Sequence, residues 1–298
     1  MAPGKINVHL SVGALRSDGY HDLATVFQAV SLYETVEATA ADDFSVVFEG
    51  PLDTSELSSD GENLAIRAAR AVAEAGGVEG GVALRIEKRL PIAGGMAGGS
   101  ADAAATLVAC DELWRLGLGR AKLLEMGAEL GADVPFALTG GMAVGTGRGD
   151  RLSTLLHRGC FHWVLVFADG ELSTPVVFNE LDEHRWRTSR DTGIIVLDPT
   201  VPTAVMQALR LGDVEMLSDA MHNDLQAAAL RLMPRLMGTL ELGERLGAAA
   251  GIVSGSGPTC AFLCESSEEA EELVRGFAAQ GVEGHHVTGP VAGARVVS

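Results

Sequence analysis

The sequence predicts an α+β protein of two domains, a two-domain α/β arrangement. Strand-length runs of alternating apolar and polar residues recur along the chain, and helical patterns fall between them. The 298 residues suffice for two domains of ordinary size, each with a substantial core. A hydrophobic share of 47% against 21% charged places the chain among globular rather than disordered proteins. We expect the boundary shortly after a glycine-rich turn, at about Leu155, which divides the chain into 1–155 and 156–298.

Lys5 to Val12 alternates, with Ile6, Val8, Leu10 and Val12 apolar, and predicts a half-buried strand. Its period of two puts Lys5 and Asn7 on one face, a pleat apart. Ser17-Asp18-Gly19 is a turn signal, and the residues up to Ala40 have the composition of one or two strands. Tyr20 and His21 follow that turn directly, where they either meet a planar ligand or pack the turn down. A strand is expected at Phe44 to Glu49, a helix from Asn63 to Ala75 ended by Gly76-Gly77, and a strand at Val82 to Lys88.

Next comes Pro91 to Ala104, PIAGGMAGGSADAA, around which the chain is organised. Glycines free the backbone to reach φ > 0 and to approach a ligand, and the alanine run is strongly helix-forming. The stretch therefore reads as a glycine loop feeding a helix N-terminus, whose free N–H groups and dipole suit an anion. A plain turn between packed elements is the alternative. Gly94 and Gly99 are spaced like the glycines of a P-loop, but Ser100 stands where that motif needs Lys. Neither GGMAGG nor Gly145-Thr-Gly147, with Asp150 at the last position, makes a dinucleotide fingerprint.

The helix after the loop should run to about Leu116, with Ala103, Leu107, Cys110 and Trp114 as its core face. A short helix, Ala121 to Leu130, precedes Asp133-Val134-Pro135, where Pro135 opens a further helix and leaves Asp133 just outside its N-terminus. There Asp133 is either a cap or a positioned carboxylate. Gly140 to Asp150 is a short strand and turn; its Arg148-Gly149-Asp150 tripeptide carries no weight as an adhesion motif. In the second half, strands are expected at Trp163 to Phe167, Gly251 to Val253, Cys260 to Leu263 and Ala294 to Val297. Helices are expected at Val201 to Leu211, Val214 to Met221, Pro234 to Leu246 and Glu268 to Ala279, and Arg185 to Ile194 reads as a polar loop. Gly255-Ser256-Gly257-Pro258 is a second glycine turn, able to bend against a ligand or against the first loop.

A net charge of −18 argues against nucleic acid, whose binding rests on Lys and Arg. It is compatible with a recessed phosphate site, because the Debye length is about 8 Å at physiological salt. No apolar run approaches the roughly 20 residues that span a bilayer, and the N-terminus is too polar for a signal peptide, so a cytoplasmic protein is expected. The four cysteines are sparse, read as reduced thiols, and make no zinc pattern.

In order, Pro3-Gly4-Lys5-Ile6-Asn7, Pro91-x-x-Gly-Gly-x-x-Gly-Gly-Ser100, Leu-Gly-Ala-Asp133-Val-Pro and Gly255-Ser256-Gly257-Pro258 resemble the GHMP small-molecule kinases across nearly the whole chain. Asp18-Gly19-Tyr20-His21 and Thr174-Pro175-Val176-Val177-Phe178 resemble the branch that phosphorylates cytidine diphosphate methylerythritol in the non-mevalonate isoprenoid route. The resemblance implies an N-terminal domain like the second domain of ribosomal protein S5, a ferredoxin-like C-terminal domain, and an active site between them. It implies ATP and Mg²⁺, with ATP phosphates on Pro91, Ile92, Ala93, Gly94, Gly95, Met96, Ala97, Gly98, Gly99, Ser100 and Ala101. It implies Lys5 and Asp133 as the catalytic pair, and Asn7, Tyr20, His21, Thr174 and Phe178 on the substrate side. Ala101 departs from the second serine that many of these kinases carry, which leaves Ser100 as the metal-ligand candidate and Asp102 as either a neighbour or a cap. The resemblance leaves two alternatives, a kinase for homoserine, mevalonate or a sugar, and a non-catalytic nucleotide-binding module. A monomer or weak homodimer is expected.

Overall fold

The computed structural model describes residues 1–55, 57–192 and 198–297, with backbone alone for 189–192. The first half contains β1 Ala2–Leu15, β2 His21–Ala41, β3 Ser45–Glu49, α1 Leu64–Gly76, β4 Gly81–Glu87, α2 Gly98–Leu113, α3 Gly119–Leu130, α4 Val134–Thr139, β5 Met142–Gly147 and β6 Arg151–Thr154. The second contains β7 Phe161–Val166, α5 Thr174–Thr192, α6 Thr203–Leu211, α7 Val214–Ala220, β8 His222–Asn223, α8 Gln226–Leu232, α9 Arg235–Arg245, β9 Ala250–Val253, β10 Cys260–Cys264, α10 Ser267–Ala279 and β11 Gly284–Gly289.

β1 and the long β2 pair antiparallel and form the spine of the first sheet, ordered β3-β4-β2-β1-β8 with β5 attached to β2 and β6 to β5. α1 packs along α2, and its ends follow from sequence: Asn63 accepts a hydrogen bond from Ala65 N, and Gly77 closes it in the left-handed region. The second sheet is antiparallel, ordered β11-β7-β10-β9, with α9 and α10 against it. One core cluster joins both sheets: Ile6 and Val8 share it with Trp163, Leu263 and Val287. The buried Trp163 Nε1 donates to Gln28 Oε1 at 2.9 Å, so the one polar atom of the largest core side chain is satisfied across the sheets. No helix among the described residues is long and apolar enough to cross a membrane.

Several expectations change. β1 is buried on both faces, because Lys5, Asn7 and His9 are covered as fully as the apolar residues between them. α2 begins at Gly98, inside the glycine loop, and ends at Leu113 rather than Leu116. Arg185 to Thr192 is helical, the continuation of α5, and residues 193–194 of that expected loop lie outside the described residues. Ala294 to Val297 is not a strand; Ala294 N and Arg295 N bond instead to Ala137 O and Met1 O, and β11 is the strand that closes the sheet.

Candidate active site

A cavity of about 950 Å³ runs from Phe48, Asn63 and Leu64 past the glycine loop to Tyr20, His21 and Phe178. Every predicted site residue lines it except Met96 and Ala101, which are fully buried in the core.

The loop turns on three left-handed residues, Ala93 at φ 49°, Gly95 at 76° and Ala97 at 61°, so alanine rather than glycine occupies two of the strained positions. Of the four glycines, two are dictated by the protein itself. A Cβ at Gly94 would strike the Pro91 ring, and one at Gly95 would strike the Ser254 carbonyl. Gly98 and Gly99 have no such neighbour: the nearest atoms to a Cβ there lie at 3.4 and 3.7 Å, ordinary contact distances, while both residues line the cavity. Their missing side chains leave room on the cavity side, at the N-terminus of α2.

Lys5 is brought to this loop by β1. Its Nζ donates to Gly95 O and to Asn7 Oδ1, both at 2.7 Å, and its N–H bonds to Met96 O. The second glycine turn covers it from the C-terminal half, where a Cβ on Gly255 would lie 3.0 Å from Asn7 Oδ1 and 3.4 Å from Lys5 Nζ. Ser254 Oγ donates to Gly95 O, and Asn223 Nδ2 holds the turn through Val253 O and Gly255 O. The two glycine turns therefore bind one another, with Lys5 between them. Burial pulls the Lys5 ammonium below its ordinary pKa, and the Asp133 carboxylate opposes that pull.

Asp133 occupies the N-cap position of α4, with Pro135 in the first turn, yet its side chain accepts no capping hydrogen bond. Nor does it pair directly with Lys5, whose ammonium is engaged by Asn7 and Gly95. Its carboxylate is left on the cavity wall with no protein partner among the described residues.

Beneath Gly98 lies a buried triad that sequence reasoning missed. Lys88 Nζ sits 2.8 Å from Glu34 Oε1 and 2.7 Å from Asp102 Oδ2, and Glu34 also accepts from Arg89 N and Leu90 N at the start of the loop. Burial, with the Asp102 charge next, raises the Glu34 carboxyl to about 7 against the pull of Lys88. Asp102 is thus an ion-pair partner rather than a cap, and its Oδ1 has no hydrogen-bond partner. No group of three or more His, Cys, Asp or Glu side chains suited to a metal occurs among the described residues.

At the far end, His21 is nearly buried, with Nε2 at 2.9 and 3.1 Å from the two oxygens of Asp182 on α5. Its ring lies 5.1 Å from Phe178. Tyr20 is half-exposed, and Arg148 covers one face of its ring at 3.5 Å. Thr174, at the start of α5, is 2.9 Å from Ser256 and ties this end to the second glycine turn. Neither Asp182 nor Arg148 announces itself in sequence, since each acts through a residue more than 100 positions away.

A glycine-lined helix N-terminus, an ammonium and an unpaired carboxylate around one cavity are the parts of a small-molecule phosphotransferase. The chain belongs to the GHMP kinase family: residues 63–141 match the GHMP kinases N-terminal domain and residues 205–283 the GHMP kinases C-terminal domain. Within that family it is similar to two proteins named 4-diphosphocytidyl-2-C-methyl-D-erythritol kinase. The one from Clavibacter michiganensis subsp. michiganensis (strain NCPPB 382) is 59% identical over 297 residues, covering 100% of this chain and 95% of that protein. The one from Leifsonia xyli subsp. xyli (strain CTCB07) is 58% identical over 298 residues, covering 100% and 97%. A crystal structure of 4-(cytidine 5'-diphospho)-2C-methyl-D-erythritol kinase matches with a TM-score of 0.77 and 32% identity, over 96% of this chain and 97% of that one.

Proposed function

We propose that this kinase transfers the γ-phosphoryl group of ATP to the 2-hydroxyl of 4-diphosphocytidyl-2-C-methyl-D-erythritol, a step of non-mevalonate isoprenoid synthesis in the cytoplasm. The observation that carries the reading is the single cavity on which Lys5, the unpaired Asp133 carboxylate and the glycine loop converge, with aromatic residues at its far end. The names of the close relatives supply the substrate.

In this reading the triphosphate lies over Gly98 and Gly99, where backbone N–H groups of the first turn of α2 meet its oxygens. The substrate hydroxyl attacks the γ-phosphorus, the bond to the β–γ bridging oxygen breaks, and ADP leaves. Asp133 orients the hydroxyl and takes its proton, and Lys5 neutralises the charge that spreads over the γ-oxygens. Asn7, on the same cavity wall, anchors Lys5 through Oδ1 on the substrate side, and Thr174 flanks the substrate. The cytosine ring enters between Tyr20 and Phe178, beside His21 held by Asp182. Ser100 and the unpartnered Asp102 Oδ1 are hard oxygen donors of the kind that Mg²⁺ accepts, and they fit a cation arriving with ATP. Held by these oxygens, such an ion would supply charge neutralisation to the phosphates.

The test is ADP release with this substrate against mevalonate and homoserine. Turnover confined to the cytidine compound is expected. Preferential turnover of either other alcohol would replace the substrate assignment, and ATP binding without turnover of any of the three would favour a nucleotide-binding module.

A further inference from the structure

Asn7 amide oxygen and nitrogen are not interchangeable here, because a chain of hydrogen bonds ending on the backbone sets their orientation. Thr25 Oγ1 donates its only proton to His9 O at 2.7 Å, beside the bulge between Asn7 and His9 in the β1–β2 ladder. Having spent that proton, the Thr25 hydroxyl can only accept, and it does so from Asn7 Nδ2 at 2.8 Å. The other end of the amide, Oδ1, is thereby turned to Lys5, whose ammonium donates to it at 2.7 Å. Thr25 is completely buried, and Asn7 and Lys5 nearly so, which strengthens these bonds.

Lys5 Nζ has three N–H donors, and Asn7 Oδ1 and Gly95 O hold two of them. The third is left for the cavity that Lys5 lines. Were the amide reversed, its NH₂ group would face the ammonium, donor against donor, and the lysine would lose one of its two anchors. We propose that Thr25 is a positioning residue for phosphoryl transfer: it dictates the polarity of Asn7, and through Asn7 it aims the free N–H of Lys5 at the reacting groups. The role rests on the function proposed above, in which Lys5 meets the transferred phosphoryl group.

Thr25→Val keeps the shape and removes the hydroxyl, whereas Thr25→Ser keeps the hydroxyl. Steady-state kinetics on the full chain should show kcat lowered about tenfold or more in Thr25→Val, with KM for ATP and for the alcohol changed by less than about twofold. Thr25→Ser should stay within about threefold of wild type. Asn7→Ala combined with Thr25→Val should cost no more than Asn7→Ala alone, because the second change acts only through the first. Should Thr25→Val fail to fold, Thr25→Ala against Thr25→Ser carries the same comparison, with the alanine variant slow and the serine variant fast. Equal kcat with and without the hydroxyl, or additive losses in the double variant, would overturn the role of Thr25. Absence of turnover in the wild-type protein would instead overturn the function on which it rests.

Discussion

Glu34, wholly buried, faces Lys88 and Asp102 beneath the first turn of α2, so two carboxylates share one ammonium. With its pKa raised from 4.5 to about 7, Glu34 takes up a proton in the folded state over a range where the unfolded chain has already lost it. The resulting stabilisation is fully present below pH 4.5 and is lost as pH rises through about 7. At about 1.4 kcal/mol per pH unit it amounts to roughly 3 kcal/mol. Chemical denaturation of Glu34→Gln and wild type between pH 5 and 8 should show wild type losing stability relative to the variant as pH rises. Parallel curves would mean that Glu34 stays ionised throughout. At this scale Lys5, Asn7 and Asp133 were legible in sequence as residue types at informative positions, but their surroundings were not. The bond from Asn7 N to Ser254 Oγ joins residues 247 positions apart, and nothing near Asn7 foretells it.

The glycine loop separates packing from ligand approach. Gly95→Ala has to displace the Ser254 carbonyl and also takes a left-handed residue away from glycine, which should cost about 1–3 kcal/mol. Gly99→Ala meets nothing closer than 3.7 Å, so stability should change by less than about 1 kcal/mol while KM for ATP rises about tenfold. Thermal melts and ATP titrations of the two variants check this, and a Gly99→Ala protein with unchanged ATP affinity would remove that residue from the phosphate site. Elements with periodic apolar faces and end signals, such as α1, α10 and the strand before the loop, were readable from sequence. α5 was not readable as a helix at all, and hydrogen bonds and ion pairs at distant positions help hold its end: Arg185 reaches Val12 O, Gly13 O and Asp224, and Arg187 reaches Glu180. β11, Gly-His-His-Val-Thr-Gly, lacks strand composition and owes its conformation to pairing with β7.

The whole molecule brings two sheets onto one core, and its two glycine turns, one from each half, close on Lys5. Sequence order identified the pieces of the cavity and the α+β class; the way one turn covers the other is a tertiary fact that only the packing of the halves supplies. A division at Leu155, which we propose, separates the sheets while leaving β8 of the second half paired in parallel with β1 of the first. We propose that this packing delivers an ammonium and an unpaired carboxylate to a hydroxyl beside a triphosphate. Asp133→Asn is the decisive variant, because among the described residues the carboxylate makes no capping hydrogen bond whose loss would confuse the result. Turnover should fall about 10²–10⁴-fold with the Kd for ATP unchanged; near-normal turnover would mean that Asp133 does not take the hydroxyl proton.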